Sequence, residues 1–266
     1  LLTLVLVALA AIAVVADKTP RERAEALLAQ MTTEEKIHML HGTVLRKDNY
    51  VGFVAQNERL GIPALRLNDG PQGFRDEEHP GSTTAWPSGL TVASTFDNKL
   101  AYLWGEAMGD EFAGKGANVF LGPGMNVARV PVNGRKFEYS SGGDPYLGYS
   151  LVGDVVRGVQ DQGIIANAKH WVNNNQETNR GTVDSHVDER TQHEIYYTPF
   201  EGAIEAGVGS FMCSYNKING FWSCENSETL GDLKGTLGFK DGWVMSDWGA
   251  THSTSINQGL DQEMPS

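Results

Sequence analysis

One segment, residues 244–249, combines two residue types suited to carbohydrate chemistry. A short apolar run ends at Met245, and Asp247 and Trp248 follow on the turn behind it. A carboxylate in such a place can attack an anomeric carbon, and an indole can cover the apolar face of a sugar. The alternative is an aspartate that caps the next helix, with the tryptophan serving only packing.

Two further segments contain side chains that could hold sugar hydroxyls. Lys169 and His170 are adjacent, and both can donate hydrogen bonds that strengthen as a transition state forms. Arg135 has a forked guanidinium that can grip two vicinal hydroxyls or hold a carboxylate in place, and Glu138 could orient Arg135 or Lys136. The alternatives are a lysine in a surface turn beside a packed histidine, and a surface ion pair.

An alternation of strands and helices must position these residues. Five short apolar runs predict strands at residues 64–67, 119–121, 164–168, 210–212 and 243–245. Amphipathic patterns predict helices at residues 99–113, 149–160, 189–206 and 227–237. Two helical stretches are predicted before them, within residues 19–40, and the second starts at a capping box of Thr32 and Glu35. This recurrence is typical of a parallel α/β sheet, and 266 residues suit one barrel of about 250 residues.

Polar side chains cluster directly behind the predicted strands. They are Asp69, Lys169, His170, Tyr215 and Asp247. In a parallel sheet these strand ends lie on one face, where barrel enzymes hold their active sites. Independent helix caps would not need a lysine, a histidine and a tyrosine at such positions.

Composition and spacing argue against several other functions. With a net charge of −12 and no Lys/Arg cluster, the chain does not have the footprint of a nucleic-acid-binding protein. The histidines and the two cysteines lack metal-ligand spacing, so no metal is predicted. The glycine-rich segments fit neither a phosphate loop nor a dinucleotide-binding motif, no Gly-x-Ser-x-Gly elbow surrounds Ser246, and no cofactor is predicted.

The N-terminal residues indicate export. Residues 1–15 are apolar except for Thr3, which is too short a run for a spanning helix of about 20 residues but suits the core of a secretory signal. We therefore expect residues 1–16 to be a signal-peptide remnant and the protein to be secreted without stable membrane insertion; a buried core helix is the alternative. In an exported chain Cys213 and Cys224 could form a disulfide, and two buried free thiols are the alternative.

Six segments form an ordered set of motifs. They are Leu67-Asn68-Asp69-Gly70-Pro71-Gln72-Gly73, Gly134-Arg135 with Glu138, Ala168-Lys169-His170, Met212-Cys213-Ser214-Tyr215-Asn216, Val244-Met245-Ser246-Asp247-Trp248, and Gly259-Leu260-Asp261 with Glu263-Met264-Pro265. Each is weak alone, but six in this order are highly specific. From about Thr19 to its end, the chain resembles the N-terminal barrel domain of family 3 glycoside hydrolases, the β-glucosidase type. The resemblance implies an α/β fold of the (β/α)8 TIM-barrel type.

The resemblance also implies a reaction and a set of site residues. The reaction is hydrolysis of terminal non-reducing β-D-glucosyl residues from small β-glucosides or oligosaccharides, with Asp247 as the nucleophile of a retaining mechanism. The implied contacts with the terminal sugar are Asp69, Arg75, Arg135, Lys169, His170, Tyr215 and Trp248. Similar secreted members carry a disulfide where Cys213 and Cys224 lie in this chain, which favours that bridge.

Part of the catalytic machinery is expected to lie elsewhere. A retaining mechanism needs two carboxyl groups about 5–5.5 Å apart, and in this family the acid/base glutamate usually comes from a second α/β domain. The chain stops at Ser266, within the last motif, so we expect residues 17–266 to be an incomplete barrel domain that lacks the second domain and turns over poorly. The N-acetylglucosaminidase branch has a second histidine in the loop after its Lys-His pair; residues 171–175 contain none, which favours a glucosidase.

Two other functions remain open. A non-catalytic carbohydrate-binding barrel would keep Arg135, Lys169 and His170 but would not need a nucleophile at position 247. A β-xylosidase-type enzyme of the same family would share the motifs, because contacts to the C6 hydroxymethyl group cannot be read from one sequence. The sequence predicts no oligomeric state.

Overall fold

A computed structural model describes residues 18–43 and 50–265. The expected signal peptide, residues 1–16, lies outside the described residues. The first described elements are two short helices, α1 (Pro20–Leu28) and α2 (Thr33–Met39). The predicted capping box is confirmed, because Thr32 and Glu35 each accept a hydrogen bond from the other's backbone N–H.

In the part of the chain that the structure describes, nine strands build two sheets. They are β1 (Gly52–Val54), β2 (Leu65–Asn68), β3 (Val119–Phe120), β4 (Ile165–Trp171), β5 (Asp184–Ser185), β6 (Ser210–Cys213), β7 (Lys217–Ile218), β8 (Phe221–Trp222) and β9 (Trp243–Met245). The main sheet has the order β1-β2-β3-β4-β6-β9, and β5, β7 and β8 form a small second sheet. All five predicted strands are present, but the main sheet is mixed because the additional β1 runs antiparallel to β2.

Helices follow the strands as the sequence predicts. The further helices are α3 (Gly89–Ala93), α4 (Asn98–Gly114), α5 (Pro145–Asp161), α6 (Glu189–Thr191), α7 (Thr198–Glu205) and α8 (Ser227–Gly231). A π-helical segment, Gln192–Tyr197, separates α6 from α7 within the predicted helix 189–206. The helices α4 and α5 pack so closely that a Cβ atom on Gly158 would lie 2.3 Å from the Tyr102 carbonyl oxygen, so this crossing requires glycine.

Isolated backbone bridges link the two outer strands of the main sheet. Residues 262–263 pair with Met245 in β9 on one side and with His41 on the other, and Thr43 pairs with Phe53 in β1. The result is an α/β fold with a curled mixed sheet. A complete eight-stranded barrel stays a prediction.

The parallel register brings the C-terminal ends of the strands to one edge. Lys169 in β4 lies opposite Met212 in β6, which in turn lies opposite Met245 in β9. The strand β4 is longer than predicted, so Lys169 and His170 belong to it and do not follow it. Sheet pairing therefore sets the position of Lys169. His170 lies at the register irregularity between Lys169 and Trp171, and its backbone N–H donates to the Asn126 side chain at 2.8 Å.

A disulfide joins Cys213, the last residue of β6, to Cys224 in the 3₁₀ turn after β8. Their Cα atoms are 5.2 Å apart and both residues are fully buried. The bridge implied by the resemblance is thus present, and the alternative of free thiols is wrong. Among the described helices, none is long and apolar enough to cross a lipid bilayer.

Candidate active site

A cavity of about 420 Å³ lies at the C-terminal edge of the main sheet. All eight site residues implied by the resemblance line it: Asp69, Arg75, Arg135, Lys169, His170, Tyr215, Asp247 and Trp248. Small-molecule sites commonly occupy about 300–1,000 Å³, so this cavity suits a ligand of sugar size. A second cavity of about 430 Å³ shares Asp69, Arg75, Arg135 and Lys169 with the first.

Asp247 lies in the wall of the cavity two residues after β9. Its side chain is 11% exposed, and Oδ1 accepts a hydrogen bond of 2.8 Å from the Trp248 backbone N–H. The next helical segment is a 3₁₀ turn at Ser255–Gln258, so Asp247 caps no helix within the described part of the chain. The indole of Trp248 is fixed by a bond of 3.0 Å from Nε1 to the Val51 carbonyl oxygen.

The charge of Asp247 depends on burial and on the donors around it. Burial raises the pKa of its carboxyl group, and the charge of Lys169 opposes this most strongly. The Trp248 N–H, the charge of Arg135 and the Tyr215 hydroxyl also favour the ionised form. Fixed protein donors thus replace water around this carboxylate, an arrangement suited to electrostatic and nucleophilic catalysis.

His170 lies directly beside this carboxylate and is 1% exposed. Its Nε2 atom is 3.5 Å from Oδ2 of Asp247 and 3.3 Å from Nη2 of Arg135. Burial lowers the pKa of the imidazole well below its usual value, and the nearby cations lower it further. The ring is therefore neutral at neutral pH and can exchange hydrogen bonds with a hydroxyl group.

Arg135 is held by a buried carboxylate. Its Nε atom donates to Oε1 of Glu138 at 2.8 Å, and Glu138 is only 7% exposed, so the alternative of a surface ion pair is wrong. Burial works against the charge of Arg135, but Tyr139 and the neighbouring carboxylates raise the pKa of its guanidinium above the usual value. Among the described residues, none forms a hydrogen bond with its buried Nη1 atom.

The local sequence explains the placement of Arg135. The Asn133 side chain accepts hydrogen bonds from the backbone N–H groups of Arg135 and Lys136, at 2.8 and 2.7 Å. Gly134 between them has a φ of +86°, a conformation that favours glycine. The Asn-Gly pair thus forms the turn that directs the arginine.

A second charged group lies where β2 and β4 end. The Nζ atom of Lys169 is 3.7 Å from Oδ1 of Asp69, and Nη1 of Arg75 is 3.5 Å from Oδ2 of the same carboxylate. The Lys169 side chain is 5% exposed, whereas that of Asp69 is 38% exposed and accessible to a ligand. Acceptors held between cations can bind hydroxyl protons while the cations bind hydroxyl oxygens.

Sequence reasoning assigned no role to half of the described residues that line the cavity. They are Tyr50, Val51, Glu77, Glu78, Leu121, Arg180, Met212 and Pro265. Arg180 is the most informative of them, because its guanidinium carbon lies 4.5 Å from the centroid of the Tyr215 ring. The only available signal was a cation in the loop that follows the strand carrying Lys169 and His170.

Comparison with known proteins agrees with this geometry. Residues 19–265 match the family model described as "Glycosyl hydrolase family 3 N terminal domain". The chain belongs to this family. It is 44% identical over 261 residues to Beta-glucosidase 1 of Aspergillus aculeatus, an alignment that covers 92% of this chain and 30% of that protein.

This family 3 domain is similar to solved structures of β-glucosidases. DesR, a β-glucosidase from Streptomyces venezuelae in complex with D-glucose, matches with a TM-score of 0.87 and 43% identity, over 92% of this chain and 31% of that one. β-Glucosidase 3B from Thermotoga neapolitana in complex with glucose matches with a TM-score of 0.84 and 39% identity, over 91% and 36% of the two chains. The chain thus spans about a third of the length of these relatives.

Proposed function

We propose that this family 3 domain provides the nucleophile and the glucose subsite of a retaining β-glucosidase. The observation that carries the proposal is the position of Asp247, a buried carboxylate that lies beside a neutral His170 in a cavity of sugar size. The β-glucosidases that the chain resembles, two of them in complexes with glucose, support the choice of sugar.

In the proposed mechanism, Asp247 attacks the anomeric carbon and forms a covalent glycosyl ester, which water then hydrolyses. Arg135, Lys169, His170 and Asp69 hold the sugar hydroxyls, and Trp248 covers an apolar face of the ring. The acid/base glutamate that protonates the leaving group is proposed to come from a part of the protein outside this chain.

An activated fluoro sugar tests the nucleophile directly. In 2,4-dinitrophenyl 2-deoxy-2-fluoro-β-D-glucoside the leaving group departs without an acid, and the fluorine slows hydrolysis of the intermediate. Mass spectrometry of a peptic digest should find one fluoroglucosyl group on the peptide that contains Asp247. The variant Asp247→Asn has the same shape but no carboxylate and should remain unlabelled. Label on another peptide would contradict the assignment.

Two further measurements separate the alternatives. Labelling by the glucoside should be faster than labelling by the matching 2-fluoro-xyloside; the reverse order would favour a xylosidase. Glucose binding in calorimetry without any labelling would favour a non-catalytic carbohydrate-binding domain. With phenyl β-glucoside, whose leaving group needs protonation, this chain alone should turn over poorly, and efficient turnover would place the acid/base within these residues.

We also propose that the curled sheet closes as a (β/α)8 barrel and that the protein is exported. Backbone bridges connect β9 to β1 by way of residues 262–263 and 41–43, which supports closure. The buried disulfide is compatible with an oxidising compartment, where such bonds persist.

A further inference from the structure

Tyr215 contacts the residue pair at the centre of the proposed reaction. Its hydroxyl donates a hydrogen bond of 3.0 Å to the Trp248 carbonyl oxygen. Burial and the charge of the Asp247 carboxylate raise the pKa of this phenol, and the hydroxyl in turn favours the ionised form of that carboxylate. A phenol has one hydroxyl proton to donate. The orientation of the ring therefore decides whether that proton points to the Trp248 carbonyl oxygen or to the Asp247 carboxylate.

Arg180 covers the face of this ring. Its guanidinium carbon is 4.5 Å from the ring centroid, within the range of a cation–π contact. Tyr215 is only partly buried, so packing alone does not lock the ring. The arginine therefore limits the movement of the hydroxyl relative to Asp247.

Arg180 is itself fixed by Glu177. Its Nη1 atom lies 3.0 Å from Oε1 of Glu177, and Oε2 of the same carboxylate lies 3.7 Å from Nε of Arg135. The Glu177 backbone N–H donates to the Asn133 carbonyl oxygen at 2.8 Å, which joins the loop after β4 to the turn that carries Arg135. A row of alternating charges thus connects Arg135 to the ring of Tyr215.

We propose that Arg180 is a positioning residue which, anchored by Glu177 and stacked on Tyr215, keeps the tyrosine hydroxyl against Asp247 during glycosylation. The proposal rests on the proposed role of Asp247. A planar guanidinium can stack on a ring and pair with a carboxylate at the same time, and a lysine ammonium cannot do both. Contact between Arg180 and the sugar is not required.

The test measures the labelling rate at Asp247 against the concentration of the fluoroglucoside. For Arg180→Met we expect the maximal rate constant of labelling to fall about 10-fold, because the variant loses a partly buried cation–π contact. The half-saturating concentration of the fluoroglucoside should stay nearly unchanged. Arg180→Lys should recover part of the rate. The matched control is Arg190→Met, because Arg190 is 83% exposed and pairs with Glu194 on a surface helix.

A double-mutant cycle shows whether Arg180 acts through the hydroxyl. Tyr215→Phe keeps the ring but removes that group, so adding Arg180→Met should then have little further effect. Equal losses in both backgrounds would overturn the proposal. An increase in the half-saturating concentration alone would also overturn it, because it would mean that Arg180 binds the sugar directly.

Thermal melting of each variant separates unfolding from misplacement. If Arg180→Met does not fold, Arg180→Lys replaces it in the double-mutant cycle. The expected fall in the labelling rate constant is then smaller, and it must again disappear in the Tyr215→Phe background. An unlabelled wild-type chain would contradict the proposed function itself. A labelled wild type with an unaffected Arg180→Met would contradict only the role of Arg180.

Discussion

The Nε2 atom of His170 lies 3.5 Å from a carboxylate oxygen of Asp247 and 3.3 Å from Nη2 of Arg135. An arginine can only donate, so Nε2 accepts from it, and Nδ1–H donates to the Tyr139 hydroxyl 3.3 Å away. Tyr139 in turn donates to the Asn174 carbonyl oxygen at 3.3 Å. The network thus places a neutral ring, not a cation, beside the carboxylate.

Acid should destabilise the folded chain through His170. Burial lowers the pKa of this imidazole in the folded state, whereas in the unfolded chain it takes up a proton near pH 6.5. Because the unfolded state then binds more protons, stability is lost as the pH falls below about 6.5, by at most about 1.4 kcal/mol per pH unit. The melting temperature of the wild type should therefore fall faster on acidification than that of His170→Asn.

The control for this comparison is His186→Asn, which removes an imidazole whose side chain is 78% exposed. If the melting temperatures of the wild type and His170→Asn fell in parallel below pH 6.5, the assignment of a neutral folded His170 would be wrong.

Asp247→Asn should stabilise the chain even though it abolishes labelling. Burial raises the pKa of this carboxyl group, so its ionised form is less favourable in the folded than in the unfolded state. The protonated carboxyl group contributes to the stability of the folded state. This contribution is lost as the pH rises from the pKa in the unfolded chain, about 3.9, through the raised pKa in the folded chain. At pH 7 the variant should melt about 2–4 °C above the wild type, the shift that about 1 kcal/mol gives in a domain of this size.

This gain should shrink as the pH falls, because the carboxyl group of the wild type then becomes protonated. Asp241→Asn is the matched control, because Asp241 has a side chain that is 88% exposed. A variant that melts below the wild type at pH 7 would show that Asp247 is a net stabilising charge.

The main strands could be predicted because buried parallel strands are short apolar runs, as in β6 and β9. The strand β1 could not, since Gly52–Val54 becomes a strand only by pairing with β2, a contact that its own residues do not encode. The end of β4 was also missed: Lys169 and His170 end the apolar pattern, while backbone pairing continues to Trp171 opposite Cys213.

The same distinction applies to the site. Residues at strand ends, such as Asp69 and Asp247, could be predicted to line one cavity because parallel register brings strand ends to one edge of the sheet. Arg180 and Glu177 lie in a loop whose path depends on long-range contacts, including the bond from the Glu177 N–H to Asn133. Sequence spacing carries no information on such contacts.

Arg135→Lys should slow labelling strongly. A single ammonium cannot pair with Glu138, approach Glu177 and donate to His170 together, as the guanidinium does. Hydrogen bonds to charged groups contribute about 1.5–3 kcal/mol, so the maximal rate constant should fall about 10- to 100-fold. The measurement is the same fluoroglucoside labelling, followed by mass spectrometry.

Arg190→Lys provides the control for this substitution on an exposed helix, where the side chain of Arg190 is 83% exposed. A rate within two-fold of the wild type for Arg135→Lys would show that charge alone, and not the forked geometry, is needed at this position.

Replacing both Cys213 and Cys224 by alanine should lower the free energy of unfolding by about 3 kcal/mol, the chain-entropy value for a loop closed over a separation of 11 residues. Labelling well below the melting temperature should persist, because Ser223 still accepts from the Ser214 N–H at 3.2 Å and donates to the Trp171 carbonyl oxygen at 2.6 Å. Urea denaturation of the double variant measures the loss, and substituting both residues avoids an unpaired thiol. An unchanged urea midpoint would mean that these hydrogen bonds, and not the disulfide, hold the loop.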